Sequence, residues 1–195
     1  MKLSKDFWNN RYKNKNTGWD IGYVSTPIKN YIDQLENKEI RILIPGCGNA
    51  YEAEYLHLKG FSNVFLLDIA PVALQQFSER VPNFPKKHLI QENFFEHQGS
   101  YNLILEQTFF CAINSKLRDN YVHKMHKLLI SKGKLVGLLF AEEFENDHPP
   151  FGGTKEEYKK RFSTLFEIQK MELANNSIKP RKGRELFIIM TKKSL

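Results

Sequence analysis

The chain has few of the residues that build cross-linked or metal-held folds. Its 195 residues include two cysteines, Cys47 and Cys111, too few for a disulfide framework and without zinc-site spacing. No apolar run reaches the roughly 18 residues of a membrane span, and Met1-Lys2-Leu3-Ser4 opens no signal peptide. The expectation is a cytoplasmic protein that does not bind a membrane. Internal repeats, low-complexity tracts and linkers are also missing, so residues 1–195 read as a single domain. There is no convincing Ser-His-Asp or Cys-His constellation. His123 and His126 stand three apart on a predicted helix with no acidic or cysteine partner nearby, and they read as helix surface, not a metal site. Acidic residues are fewer than basic ones, 22 against 29, for a net charge of +7. The lysines are scattered, with clusters only near Lys155–Arg161 and Lys179–Arg184. That pattern reads as solvated surface, so no nucleic-acid partner is expected. A monomer is.

The chain's organising stretch is Ile40 to Asp68. Ile40, Ile42, Leu43 and Ile44 form a nearly continuous apolar strand, as expected where helices cover both faces of a sheet. Gly46 and Gly48 remove side chains where the backbone must turn sharply and a ligand must come close. A helix is predicted from Ala50 to Lys59, closed by Gly60, and a second strand from Val64 to Leu67. Asp68 ends that strand, where a carboxylate can accept from a ribose diol. This is half of a nucleotide-binding βαβ unit. A dinucleotide fingerprint needs a third glycine three residues after Gly48, and Tyr51 stands there. A bulky ring at that position argues against a pyrophosphate and favours a ligand without one, such as S-adenosylmethionine.

Elsewhere Ser4 caps a short helix through Tyr12, followed by a polar loop carrying Trp19. These aromatics read equally as core anchors or as a lid over a ligand. Thr26-Pro27 is a cap followed by proline, with the stripe Ile28, Tyr31, Ile32 and Leu35 packing on the sheet. Further predictions are a helix over Pro71–Val81, a strand over His88–Gln91 and a strand over Tyr101–Leu105. A long helix over Ser115–Ile130 and a strand over Lys134–Phe140 follow. Asn93-Phe94 reads either as an adenine contact or as a turn asparagine before core rings. A long acidic loop, Ala141–Gly153, follows the fifth strand. Thr154 and Glu157 form a capping box, and Phe166–Leu173 with Glu185–Met190 read as an antiparallel terminal hairpin.

Taken together, these segments resemble the Rossmann-like S-adenosylmethionine methyltransferases. Within them the chain resembles the thiopurine S-methyltransferase superfamily, and more closely its thiol and halide methyltransferase branch. The likeness rests on Trp8, Thr17-Gly18-Trp19-Asp20, Ile44-Pro45-Gly46-Cys47-Gly48, Asn93-Phe94-Phe95, Thr108 through Ile113, Pro149-Pro150-Phe151 and Pro180 through Glu185. It implies an α/β fold: a seven-stranded, mostly parallel sheet with helices on both faces and an antiparallel C-terminal hairpin. Residues 1–36 would be an aromatic arm and helix covering the cofactor.

For the cofactor, the resemblance implies S-adenosyl-L-methionine bound by Trp8, Tyr12, Trp19, Gly46, Gly48, Asp68, Ile69, Asn93, Phe94 and Gln107. Trp8, Tyr12 and Trp19 would fold over its methionine end, and Asn93-Phe94 would bracket adenine. Phe110, Phe151 and Arg181 would line the pocket for a small-molecule acceptor. The family usually has aspartate where Asn93 stands, and often tyrosine where Phe151 stands. The implied reaction is in-line methyl transfer to a small soft nucleophile such as a thiol, sulfide, halide or thiopurine. It needs proximity and a dry pocket more than a strong base, so no dedicated catalytic residue is expected. The alternatives are a larger oxygen or nitrogen acceptor, or a non-catalytic cofactor-binding or RNA-associated protein.

Overall fold

Seven apolar segments pair into one sheet. In the computed structural model, which describes residues 3–194, they are β1 (Ile42–Pro45), β2 (Val64–Asp68), β3 (Leu89–Gln91), β4 (Tyr101–Gln107), β5 (Leu129–Phe140), β6 (Phe166–Leu173) and β7 (Glu185–Lys192). Met1 and Lys2, part of the opening without signal-peptide character, lie outside the described residues, as does Leu195. The order across the sheet is β3-β2-β1-β4-β5-β7-β6. The first five strands run parallel, and β7 is antiparallel to both β5 and β6. This is the expected Rossmann-like sheet with its C-terminal hairpin. The strand order reverses between β1 and β4, and ligands of such sheets bind outside the carboxyl ends of the strands at that point.

Side-chain alternation along the strands divides the interior into two cores. Ile42, Ile44, Leu103, Leu105, Val136 and Leu138 face one side. There they meet α2 (Thr26–Ile32), α3 (Tyr51–Leu58) and α4 (Pro71–Arg80) through Ile28, Ile32, Ala53, Leu56, Leu74 and Phe77. Leu43, Ile104, Leu135, Leu139 and Ile188 face the other. They meet α5 (Arg118–Leu128) and α6 (Lys155–Phe162) through Tyr121, Val122, Met125, Tyr158 and Phe162. A smaller cluster joins α1 (Lys5–Lys13) to the start of α4, with Tyr12 against Ala70 and Ala73. Ser4 caps α1 as expected, its hydroxyl accepting from Phe7 N at 3.3 Å. No helix is long and apolar enough to cross a membrane among the described residues.

Several boundaries differ from the sequence reading. The cap of α2 is Ser25, not Thr26, which is already helical. The long helix ends at Leu128, and Ser115–Leu117 is a separate 3-10 turn. Leu129, read as helical, pairs with Tyr101 in the sheet. Its apolar side chain is buried there, so the periodicity that extends the helix is satisfied by a strand instead. Ser131-Lys132-Gly133, left between the predicted helix and the predicted fifth strand, is an irregularity inside β5. Lys132 has φ 59°, and the pairing jumps from Tyr101↔Leu129 to Leu103↔Lys134.

Candidate active site

The loop leaving β1 turns within five residues, with Gly46 at φ 56°, Gly48 at φ 54° and Ala50 at φ 53°. Left-handed backbone is nearly free for glycine and strained for alanine, so Ala50 carries the cost of starting α3 there. The loop is tied to the end of β2. Asp68 Oδ2 accepts from Gly48 N at 2.9 Å, and Oδ1 accepts from Ala70 N at 2.8 Å. Burial pushes the Asp68 carboxyl up, while those N–H groups pull it back. Each carboxylate oxygen has a second lone pair, so Asp68 can hold the loop and still accept from a sugar diol.

The N-terminal arm closes over this loop. Trp19 meets Trp8 edge to face at 5.7 Å and Tyr12 at 5.8 Å. The Tyr12 hydroxyl lies so close to Gly48 that a Cβ there would come within 2.8 Å of it. Burial and the nearby Asp68 push the Tyr12 hydroxyl up, so it stays a neutral phenol.

The end of β4 forms the opposite wall. Glu106 is fully buried and accepts from Phe109 N at 2.8 Å, Phe110 N at 2.9 Å and the Tyr121 hydroxyl. Burial raises its carboxyl to about 7. One side chain thereby fixes the turn that carries Thr108, at φ 57°, and sets the Phe109 ring against Gly46. A Cβ on Gly46 would stand 2.1 Å from that ring, so the second reason for glycine here is contact with Phe109. Between arm and turn lies a cleft of about 500 Å³, counting the part open to solvent. Trp19, Gly46, Gly48, Glu52, Gln107 and Thr108 are among its lining residues. Beside it, Thr108, Phe110, Cys111, Leu138, Phe140 and Glu185 border a smaller chamber of about 230 Å³.

Two buried arginines tie distant segments to these walls. Arg118 donates to Gly152 O at 2.7 Å, Phe151 O at 3.2 Å and Glu157 at 2.9 Å. It thereby holds the loop after β5 in place, together with the bond from Phe151 N to Cys111 O at 2.7 Å. Arg181 donates to Trp19 O at 2.6 Å and to Glu185 at 3.4 Å, joining the arm to the start of β7.

Of the residues singled out in the sequence, Trp19, Gly46, Gly48 and Gln107 line the cleft, and Phe110 lines the chamber. Trp8, Tyr12 and Asp68 stand directly behind them, with Ile69 following Asp68 in the chain. Asn93 Oδ1 accepts from Phe95 N at 3.1 Å in a local turn. Phe94 is buried in the core against Phe109 and Tyr121, and it borders neither cavity. Phe151 is half-buried, and the guanidinium of Arg181 is engaged by protein acceptors. Sequence reasoning gave no role to Glu52, Glu106, Phe109 and Arg118, although Phe109 lies within Thr108–Ile113, one of the segments that carry the resemblance. Their signal was weak: an acid ending an apolar strand, and an arginine beginning a helix. His123 and His126 each contact a backbone carbonyl, Asp119 O and Lys193 O.

A family model described as thiopurine S-methyltransferase matches residues 3–193. The chain belongs to the thiopurine S-methyltransferase family. It is 29% identical to a probable thiol methyltransferase 2 of Arabidopsis thaliana, over 91% of this chain and 81% of that protein. Thiocyanate methyltransferase 1 of Brassica oleracea is 26% identical over the same shares. A thiopurine S-methyltransferase of Psychrobacter cryohalolentis is 22% identical, over 87% of this chain and 89% of that one. Among solved structures, a Burkholderia thailandensis 1,6-didemethyltoxoflavin-N1-methyltransferase with bound S-adenosylhomocysteine has the same fold, with a TM-score of 0.78 at 14% identity. That match covers 97% of this chain and 87% of the other. Like the rest of the family, the protein is an enzyme, an S-adenosylmethionine-dependent methyltransferase. Its own residues fit that cofactor: a glycine loop with both glycines in left-handed backbone, a terminal carboxylate behind it and an open cleft in front of it.

Proposed function

We propose that this methyltransferase acts on a small soft nucleophile: a thiol, sulfide, halide or thiopurine-like sulfur. The observation that carries the reading is the chamber beside the cleft. It is a narrow space with little free room inside it, which suits a small acceptor. Most of its lining is apolar: Phe110, Leu138, Leu139 and Phe140.

Bound S-adenosylmethionine supplies a methyl group activated on a sulfonium. Trp8, Tyr12 and Trp19 would enclose its methionine end, and Gly46 and Gly48 would meet it with their backbone. Asp68 and Ile69 would hold the ribose, Asn93 would stand on the adenine side with Phe94 supporting it from the core, and Gln107 would touch the cofactor from β4. On the acceptor side, Phe110 and Phe151 would exclude water, and the charge of Arg181 would favour an anion.

No strong base faces the chamber. Burial pushes the Cys111 thiol to about 12, and Glu185 is occupied by Ser177 at 2.8 Å and by Arg181. A thiolate or halide needs none, because it already carries its nucleophilic pair, whereas a neutral alcohol would need its proton removed. Support also comes from the relatives named for thiol and thiocyanate methylation.

The test is calorimetry with S-adenosylhomocysteine, then a turnover screen over thiols, sulfide, halides, thiopurines, alcohols and amines. Turnover confined to the soft acceptors is expected. Turnover confined to alcohols or amines would overturn the reading.

A further inference from the structure

Four carboxyl groups are buried among the described residues: Glu52, Asp68, Glu106 and Glu185. A buried carboxylate without partners is costly, so each must be satisfied by something. Three are satisfied within the protein. Asp68 takes two backbone N–H groups, Glu106 takes two N–H groups and a hydroxyl, and Glu185 takes Ser177 and Arg181. Glu52 is different. It is 6% exposed, on the first turn of α3, and accepts one long bond from Ser25 N at 3.4 Å. It stands in no ion pair among the described residues. It also lines the cleft, together with Trp19, Gly46, Gly48 and Gln107.

The neighbours do not supply a cation. Asp20, across the same cleft, is acidic and is already taken by Gly22 N, Asn49 and Tyr51. Burial pushes the Glu52 carboxyl up, and the backbone N–H groups of Glu52 and Ser25 and then the charge of Arg181 only partly pull it back; the hydrogen bonds of Arg181 itself go to Trp19 O and Glu185. Gln107 Oε1 is tied to the Ser25 hydroxyl at 3.1 Å, which fixes the wall next to Glu52. The cleft therefore presents one buried carboxylate with acceptor capacity remaining, and no protein cation to fill it.

We infer that Glu52 receives the α-ammonium of the cofactor's methionine end and is thus a binding residue that selects ligands carrying the amino-acid moiety. An ammonium offers three donors and a positive charge, which matches what the carboxylate lacks. The inference rests on the cleft being the cofactor site. Its ligand preference would come from a charge-assisted bond made in a poorly solvated place, where such bonds are stronger than on the surface.

Calorimetry on the full chain tests this with two ligands. S-adenosylhomocysteine carries the ammonium, and 5′-methylthioadenosine has the same adenosyl and thioether groups without the amino acid. Glu52→Gln is expected to weaken S-adenosylhomocysteine by on the order of 10- to 100-fold. 5′-Methylthioadenosine should change by less than about threefold, and Glu52→Asp should recover part of the loss. Equal losses for both ligands, or an unchanged affinity for S-adenosylhomocysteine, would overturn the assignment. The urea midpoint of the variant identifies a folding defect separately, and if Glu52→Gln fails to fold, Glu52→Asp is read with the same two ligands. A wild-type chain that binds neither ligand would instead refute the cofactor site itself.

Discussion

The two walls of the cleft are built in different ways. The floor, from Ile42 to Ala70, comes from one βαβ unit whose parts are near neighbours in sequence, tied by the two backbone hydrogen bonds on Asp68. The far wall comes from the N-terminal arm, the turn after β4, the loop after β5 and the start of β7. Those segments are up to 162 positions apart, the separation between Trp19 and Arg181. They are held by buried charged side chains bonded to backbone groups: Glu106, Arg118 and Arg181. The floor is one local ligand cradle, while the far wall is assembled from segments distant in sequence. Cofactor affinity should depend on the floor together with the N-terminal arm, and acceptor preference on the loop after β5 and the start of β7.

The largest expected effect is on the floor. Asp68→Ala leaves the N–H groups of Gly48 and Ala70 without their acceptor. At about 1–3 kcal/mol for each buried unsatisfied group, stability should fall by roughly 2–5 kcal/mol in urea titration, with S-adenosylhomocysteine binding lost in calorimetry. Unchanged binding would remove the asymmetry between the walls.

Next is Arg118→Met on the far wall, which releases Phe151 O and Gly152 O and leaves Glu157 paired with Arg161 alone. Charged hydrogen bonds of this kind contribute about 1.5–3 kcal/mol. Stability should drop by about 2 kcal/mol. Turnover at low acceptor concentration should fall by on the order of tenfold, while cofactor affinity stays within about threefold. A parallel loss of cofactor affinity would show that the walls are not independent.

The third expected effect, of similar size in stability and without a change in binding, is a pH dependence. Burial raises the Glu106 carboxyl from 4.5 to about 7. Between those values the folded protein keeps a proton that the unfolded chain has released, so this group's contribution to stability declines as pH rises through that window. Glu106→Gln does not titrate, so its stability relative to wild type should improve from about pH 5 to about pH 8, by on the order of 1–3 kcal/mol. Parallel stability curves for the two proteins would locate the pH response elsewhere.

These differences mark what could be read in advance. Strand content, the glycine loop, Asp68, the α1 cap and the terminal hairpin were all legible, because each depends on local spacing or backbone chemistry. Helix ends were less so. Leu129 continues a helical stripe but is held in β5, because pairing with Tyr101 satisfies its backbone and buries its side chain. Phe94 was a choice between adenine contact and core that sequence could not make, and its burial against Tyr121 depends on where α5 comes to lie.

The sequence by itself determined that a nucleotide-type ligand without a pyrophosphate should lie above β1 and β2, since Gly46, Gly48, Tyr51 and Asp68 lie within one short segment. Only the tertiary structure decided how the buried charges are matched. Glu106, Arg118 and Arg181 find their partners within the protein, while Glu52 is left facing the cleft. The reason is physical: an ion's cost or benefit depends on which groups surround it in space, and those groups come from segments that no local pattern relates.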